Sequence, residues 1–116
     1  MALTDATKNA MLDLLNTRAA YLSLHTADPG TSGTSEATGG SPAYARKALT
    51  WASASAGSKS TSAAVTFDVP AGTYTHIGFW TAATGGTYNG GRPLSASTTF
   101  GAQSQLTVTT VTESLT

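Results

Sequence analysis

The chain has 116 residues, six basic and six acidic, with two histidines and no cysteine, so its formal net charge is zero. One domain built on one core fits that length, and a neutral chain has no long-range field to gather nucleic acid or an anionic membrane. Without thiols there is neither a disulfide framework nor a thiolate metal site, and about three residues in ten are Ser or Thr, giving a surface that is polar yet uncharged.

Thr4-Asp5 reads as an N-cap followed by a first-turn acid, and Met11, Leu14 and Leu15 recur at helical spacing with Leu3 at the entry. These predict a short helix over residues 5–16. Three turns are marginal alone, so the apolar stripe must dock, either on the rest of the domain or on a neighbouring subunit. The β domain follows over about residues 20–112. Its first strand is Tyr21-Leu22-Ser23-Leu24-His25, where Leu22 and Leu24 point to one face and Tyr21, Ser23 and His25 to the other. Asp28-Pro29-Gly30 then suits a type II turn: a favoured first residue, a fixed φ and a residue tolerant of positive φ.

A long exposed loop is expected over about residues 28–43, since the tract Thr31 to Pro42 has no period and almost no apolar residue. It is either a plain surface loop or an arm laid over a neighbour, with Thr31, Ser32, Glu36 and Pro42 as candidate arm residues. Period-two alternation resumes at Tyr44 and runs to Trp51, and the Ala/Ser/Gly tract over 52–60 reads as a flexible linker to Ala63, Val65, Phe67 and Val69. Val69-Pro70-Ala71-Gly72 has the residues of a type I turn, which predicts a hairpin between that strand and Thr73 to Trp80. Asn89-Gly90 is a strong tight-turn signal. Leu94, Phe100, Leu106 and Val108 mark the last short strands, with 109–116 as a polar tail. The pattern predicts a mainly β single domain, residues 1–116: a compact antiparallel sandwich or jelly-roll-like barrel with one short N-terminal helix.

Chemistry is hard to find in these residues. His25 and Asp28 invite a hydrolase or metal reading, but no Gly-x-Ser-x-Gly elbow singles out a serine, and a zinc site from His25, Asp28 and His76 lacks compact ligand spacing. The glycine runs lack the lysine and helix start of a phosphate-binding loop. No catalytic residue, cofactor or metal is expected. The aromatic residues say more, because alternation puts Tyr74, His76 and Trp80 on the face opposite Ile77 and Phe79, so both faces of that strand must be covered. The cover is either the helix or another protein, since Tyr and Trp serve well as interface anchors. Arg46, beside Tyr44, either pairs with an acid of a partner or solvates the rim. Tyr44, Arg46, Tyr74, His76 and Trp80 are the candidate interface residues.

The block Tyr21 to Gly30, then Tyr44-Ala45-Arg46, then Thr75 to Trp80 followed by Ala83-Thr84-Gly85-Gly86, in that order and spacing, resembles the small virion proteins of tailed phages, especially phages of actinobacteria. Those proteins are variously tail fibre, minor tail or head decoration proteins. The resemblance implies a non-enzymatic virion component, made in the host cytoplasm without a signal peptide. The leading expectation is a capsid decoration (cement) protein that binds the major capsid protein and copies of itself as a homotrimer and stabilises the shell. The alternative is a minor tail or fibre-tip protein that contacts a host surface receptor. Neither needs nucleic acid or a membrane.

Overall fold

A computed structural model describes residues 2–115. Thr4 is extended, with φ −69° and ψ 157°, and its hydroxyl accepts the Thr7 N–H at 3.3 Å, which starts α1 (Asp5–Leu12) as the cap signal requires. The helix is shorter than predicted. It stops at Asp13, and one further turn, α2 (Leu15–Arg18), follows after a break. Two polar contacts clamp α1 to the chain around Gly57: Asn9 Oδ1 accepts the Gly57 N–H, and Asp13 Oδ1 accepts from Lys59 Nζ, each at 3.0 Å. The apolar stripe is therefore re-phased. Leu12 is buried and Leu15 packs on the core, while Met11 and Leu14 remain 47% and 53% exposed.

Among the described residues, eight strands form three antiparallel sheets around one core. In the largest, β1 (Tyr21–His25) lies between the two-residue β2 (Lys47–Ala48) and β5 (Gly72–Trp80), and β6 (Tyr88–Phe100) flanks β5. The other two are pairs: β3 (Ser58–Ser60) with β8 (Thr112–Ser114), and β4 (Val65–Val69) with β7 (Ser104–Val108). Leu22, Leu24, Phe67, Val69, Ile77, Phe79 and Leu106 fill the space between them. Phe67 is fully buried, and removing a side chain of that size from water contributes about 3 kcal/mol.

The sheet pairing departs from the sequence pattern in five places. The turn at 69–72 joins two different sheets and makes no hairpin: β4 pairs with β7, and β5 with β1 and β6. Consecutive strands that change sheets bring Phe67 and Val69 together with Ile77 and Phe79 in one cluster, which a two-stranded hairpin cannot bury. The reversal between β5 and β6 falls at Gly85-Gly86, whose φ values of 62° and 72° supply the left-handed residues, and Asn89-Gly90 lies inside β6. Asn89 spends its amide on the Arg18 carbonyl at 2.8 Å. The stretch expected as a linker contains β3, and the expected tail contains β8 with Val111 only 3% exposed. Of the strand expected over 44–51 only Lys47–Ala48 joins the sheet, because Tyr44 and Arg46 are drawn inward.

Candidate functional site

A bulge decides which side chains reach the candidate site. The β5–β6 register slips between Tyr74 and His76, so alternation is interrupted and Tyr74 joins Ile77 and Phe79 on the core side. Tyr74 is 2% exposed, donates its hydroxyl to the Pro70 carbonyl at 2.7 Å, and lies 6.4 Å from the Phe100 ring. The expectation of Tyr74 as an interface anchor is corrected accordingly: it is a core residue. Neither helix covers the other face of β5. The 26–37 loop does.

On that face β1 and β5 set Ser23 against Gly78, His25 against His76, and Tyr21 against Trp80. Gly78 supplies the room. A Cβ there would lie 2.6 Å from Ser23 Oγ and 2.7 Å from His25 Nε2, closer than atoms tolerate. Ser23 Oγ and His25 Nε2 are 2.6 Å apart, Trp80 Nε1 donates to Ser23 Oγ at 2.9 Å, and His25 Nδ1 meets the Thr34 carbonyl at 2.7 Å. Both Ser23 and His25 are fully buried, although strand alternation assigns them to an outer face. Burial lowers the His25 pKa below its ordinary value, against the opposing pulls of the Thr34 carbonyl and Glu36.

The loop is tied back along β1. Thr26 N–H donates to the Ser35 carbonyl and Ala37 N–H to the Leu24 carbonyl, each at 2.9 Å, and Ala37 is buried. Asp28 Oδ1 accepts the Gly30 N–H at 2.9 Å, and Gly30 has φ 62°, as its turn position requires. Gly33, at φ 76°, passes so close to Trp80 that a Cβ would approach its ring to 2.7 Å. Glu36 therefore points inward, not along a free arm. Thr31, Ser32 and Pro42 are exposed, and the 41–42 segment is held by Gln103, which accepts from Ser41 N–H at 3.1 Å and donates to the Pro42 carbonyl at 3.0 Å.

Arg46 finds its acid within the chain. Its Nε and Nη2 fork onto the two Glu36 oxygens at 3.0 Å each, Nη1 donates to the carbonyls of Ala82 at 3.1 Å and Gly85 at 2.8 Å, and the guanidinium lies 3.6 Å over the Trp80 ring. Tyr44 completes the set by donating to Glu36 at 2.9 Å and accepting the Leu24 N–H at 3.0 Å. Burial pushes the Glu36 carboxyl up, but the Arg46 and Tyr44 donors and the Arg46 charge outweigh it and hold the group below the usual range. Burial also raises the Tyr44 phenol. Three predicted residues, Tyr44, Arg46 and Trp80, thus meet around Glu36. His76 stands on the same face, half-buried, with Nδ1 2.7 Å from its neighbour Thr75 Oγ1.

This geometry locks loops. Ser23 and His25 resemble a nucleophile and base, yet no substrate reaches an oxygen on a residue that is wholly buried and already accepts from an indole. Among the described residues no group of three or more His, Asp or Glu gathers as a metal site, and no buried side-chain polar atom lacks a partner. Sequence reasoning missed two partners. Glu36 is the only acid between Asp28 and Asp68, which makes it the nearest candidate for Arg46. Lys59 gave no signal inside its small-residue tract. A groove of about 440 Å³ elsewhere, between β6 and β7–β8, is walled by Leu94, Thr98, Leu106, Val108 and Thr110.

The saturated cluster, the neutral Ser/Thr-rich exterior and the antiparallel sheets describe a small, mainly β domain. The chain belongs to the family described as Podophage GP4 fiber I protein gp80, which matches residues 2–116. That membership puts it among bacteriophage structural proteins of the fibre and tail type, and so among virion components. No curated protein matches the chain.

Proposed function

We propose that this chain is a non-enzymatic structural subunit of a phage fibre or tail, present in the particle as copies of itself. Its membership over residues 2–116 in a family described as a fibre protein carries the reading. The locked loops support it, because a loop already held in one shape loses less freedom when a contact forms. So does the surface: a neutral exterior rich in hydroxyls can be covered by a partner without stripping water from many ions. Contact with a host surface receptor is the role this location favours. Capsid decoration, with binding to the major capsid protein and trimers on the head, is the second reading. It rests on the same neutral, cysteine-free composition, and the fibre description favours the tail over it.

Copy number and location test the choice. Purified particles are separated into heads and tails, and the protein is quantified in each by mass spectrometry. Recovery with tails at no more than tens of copies per particle is expected. Hundreds of copies on isolated heads would overturn the tail reading in favour of decoration.

A further inference from the structure

We propose that His25 is an acid-operated latch that holds the 26–37 loop over the β1–β5 face and releases it when the imidazole takes a second proton. The inference rests on the fold and not on the function proposed above. Its first support is that the hydrogens in the buried chain of contacts have one assignment. A carbonyl only accepts, so His25 Nδ1 carries the hydrogen that bonds Thr34 O at 2.7 Å. Nε2 is then an acceptor, and it takes the Ser23 hydroxyl hydrogen at 2.6 Å. An indole only donates, so Ser23 Oγ accepts from Trp80 Nε1 at 2.9 Å.

A proton on Nε2 breaks this order. Ser23 Oγ then faces two donors, and its own hydrogen must find an acceptor in a site too tight for a methyl group on Gly78. The charge itself gains little. Glu36 faces His25 across a β-bridge from the loop, but its two oxygens are already forked by Arg46. Arg46 itself and His76 on β5 oppose a second cation, and β6 offers only the Tyr88 ring, edge-on at 6.4 Å. The relief open to a charged His25 is to leave the pocket for water, which breaks the bond to Thr34. Gly33, packed under Trp80, then lifts with the loop and uncovers the Trp80–Tyr88 pair, whose rings are 5.2 Å apart.

Burial lowers the folded-state pKa of His25 from 6.5, so the closed state keeps its full stability above that pH and loses it as pH falls from there toward the folded-state value. NMR on the full chain between pH 7.5 and 4.5 reads both halves of the latch: imidazole nitrogen shifts follow the ring, and amide exchange follows the loop. The ring is expected as the Nδ1–H tautomer at neutral pH. Protection of the Thr26 and Ala37 amides, corrected for intrinsic rates, should fall several-fold as pH drops below 6.5 and level off at the midpoint of the ring, while Phe67 and Val69 stay protected. His25→Gln keeps a donor and an acceptor but cannot titrate, and should abolish the step. A ring that titrates, or stays neutral throughout, with loop protection unchanged overturns the proposal. So does a step that persists in His25→Gln, or one whose midpoint is lost in Glu36→Gln. The comparison of ring and loop in the unmutated chain stands even if a variant does not fold.

Discussion

Arg46→Ala removes four hydrogen bonds and a cation–π contact at one stroke, and its cost can be built from the geometry. Breaking a buried ion pair from one side costs about 3–5 kcal/mol, because the remaining charge is stranded. Here the stranded group is Glu36, whose side chain is 22% exposed and keeps the Tyr44 donor, so rehydration trims the figure to about 2–3 kcal/mol. The stack on Trp80 adds about 1 kcal/mol. The total, about 3–4 kcal/mol, is a large part of the roughly 5–15 kcal/mol that holds a domain together, and at about 4 °C per kcal/mol it lowers Tm by about 12–16 °C. Arg46→Lys keeps the charge but not the planar fork or both carbonyl contacts, and should lose about half as much. Urea unfolding followed by tryptophan fluorescence measures both variants. A double-mutant cycle with Glu36→Ala isolates the pair and should return about 1.5–3 kcal/mol. A loss below about 1 kcal/mol for Arg46→Ala, or a coupling near zero, would refute the claim that this cluster clamps the loops.

Three further outcomes follow from neighbouring contacts. Tyr44→Phe leaves the Leu24 N–H without its partner and Glu36 Oε2 with Arg46 Nε alone, and should cost about 1–3 kcal/mol in the same urea assay. Lys59 is buried while its partner Asp13 is 57% exposed, so the two sides of that ion pair should respond unequally. Asp13→Ala strands a buried ammonium and should destabilise by about 1–3 kcal/mol, whereas Lys59→Met, similar in volume and apolar, should fall within about 1 kcal/mol of wild type or stabilise. The third concerns pH. Glu36 is held below its ordinary 4.5, so its contribution is present above that pH and lost as pH falls through the lower folded-state value. The urea midpoint should therefore be flat above pH 6.5, decline gently below it as His25 charges, and drop steeply below about 4.5. A single steep drop centred near 6.5 would show that His25, not the Glu36–Arg46 pair, dominates acid unfolding.

The class of fold was legible because period-two alternation and turn residues are local signals, and the strands carrying Leu22 and Leu24, Phe67 and Val69, Ile77 and Phe79 stand where that alternation puts them. Pairing was not legible. Whether β4 meets β5 or β7 depends on burying Phe67 from both sides, a three-dimensional condition that a favourable turn at 69–72 does not encode. Trp80 is recognisable as special because alternation sets large side chains on both faces of its strand, and Arg46, beside Tyr44, because an arginine there calls for an acid or the rim. The acid itself is not, since Glu36 lies in a tract whose composition reads as unstructured. Tyr74 is misplaced by one event, the slip opposite Thr75, which moves a side chain from one face to the other; Pro93, paired with His76 at the edge of the slip, is the one local mark of it, and it lies on the partner strand.

That slip and the 26–37 loop together bear on how the protein engages others. With Tyr74 turned into the core and Arg46 closed on Glu36, the aromatic residues that suggested an interface are spent within the chain. What faces outward is hydroxyl-rich strand surface and the apolar ridge of Met11 and Leu14 beside the helix break. An arm formed by the loop and an interface formed by Trp80 are thus not independent of each other. Each becomes available only when the other is released, because Gly33 packs on the Trp80 ring and Glu36 anchors the arginine that covers it. Assembly through these residues has to offset the opening of the Arg46–Glu36 clamp, about 3 kcal/mol or a factor of roughly a hundred in affinity. A contact made through the exposed strands or the Met11–Leu14 ridge would leave the clamp closed and so would not carry that cost.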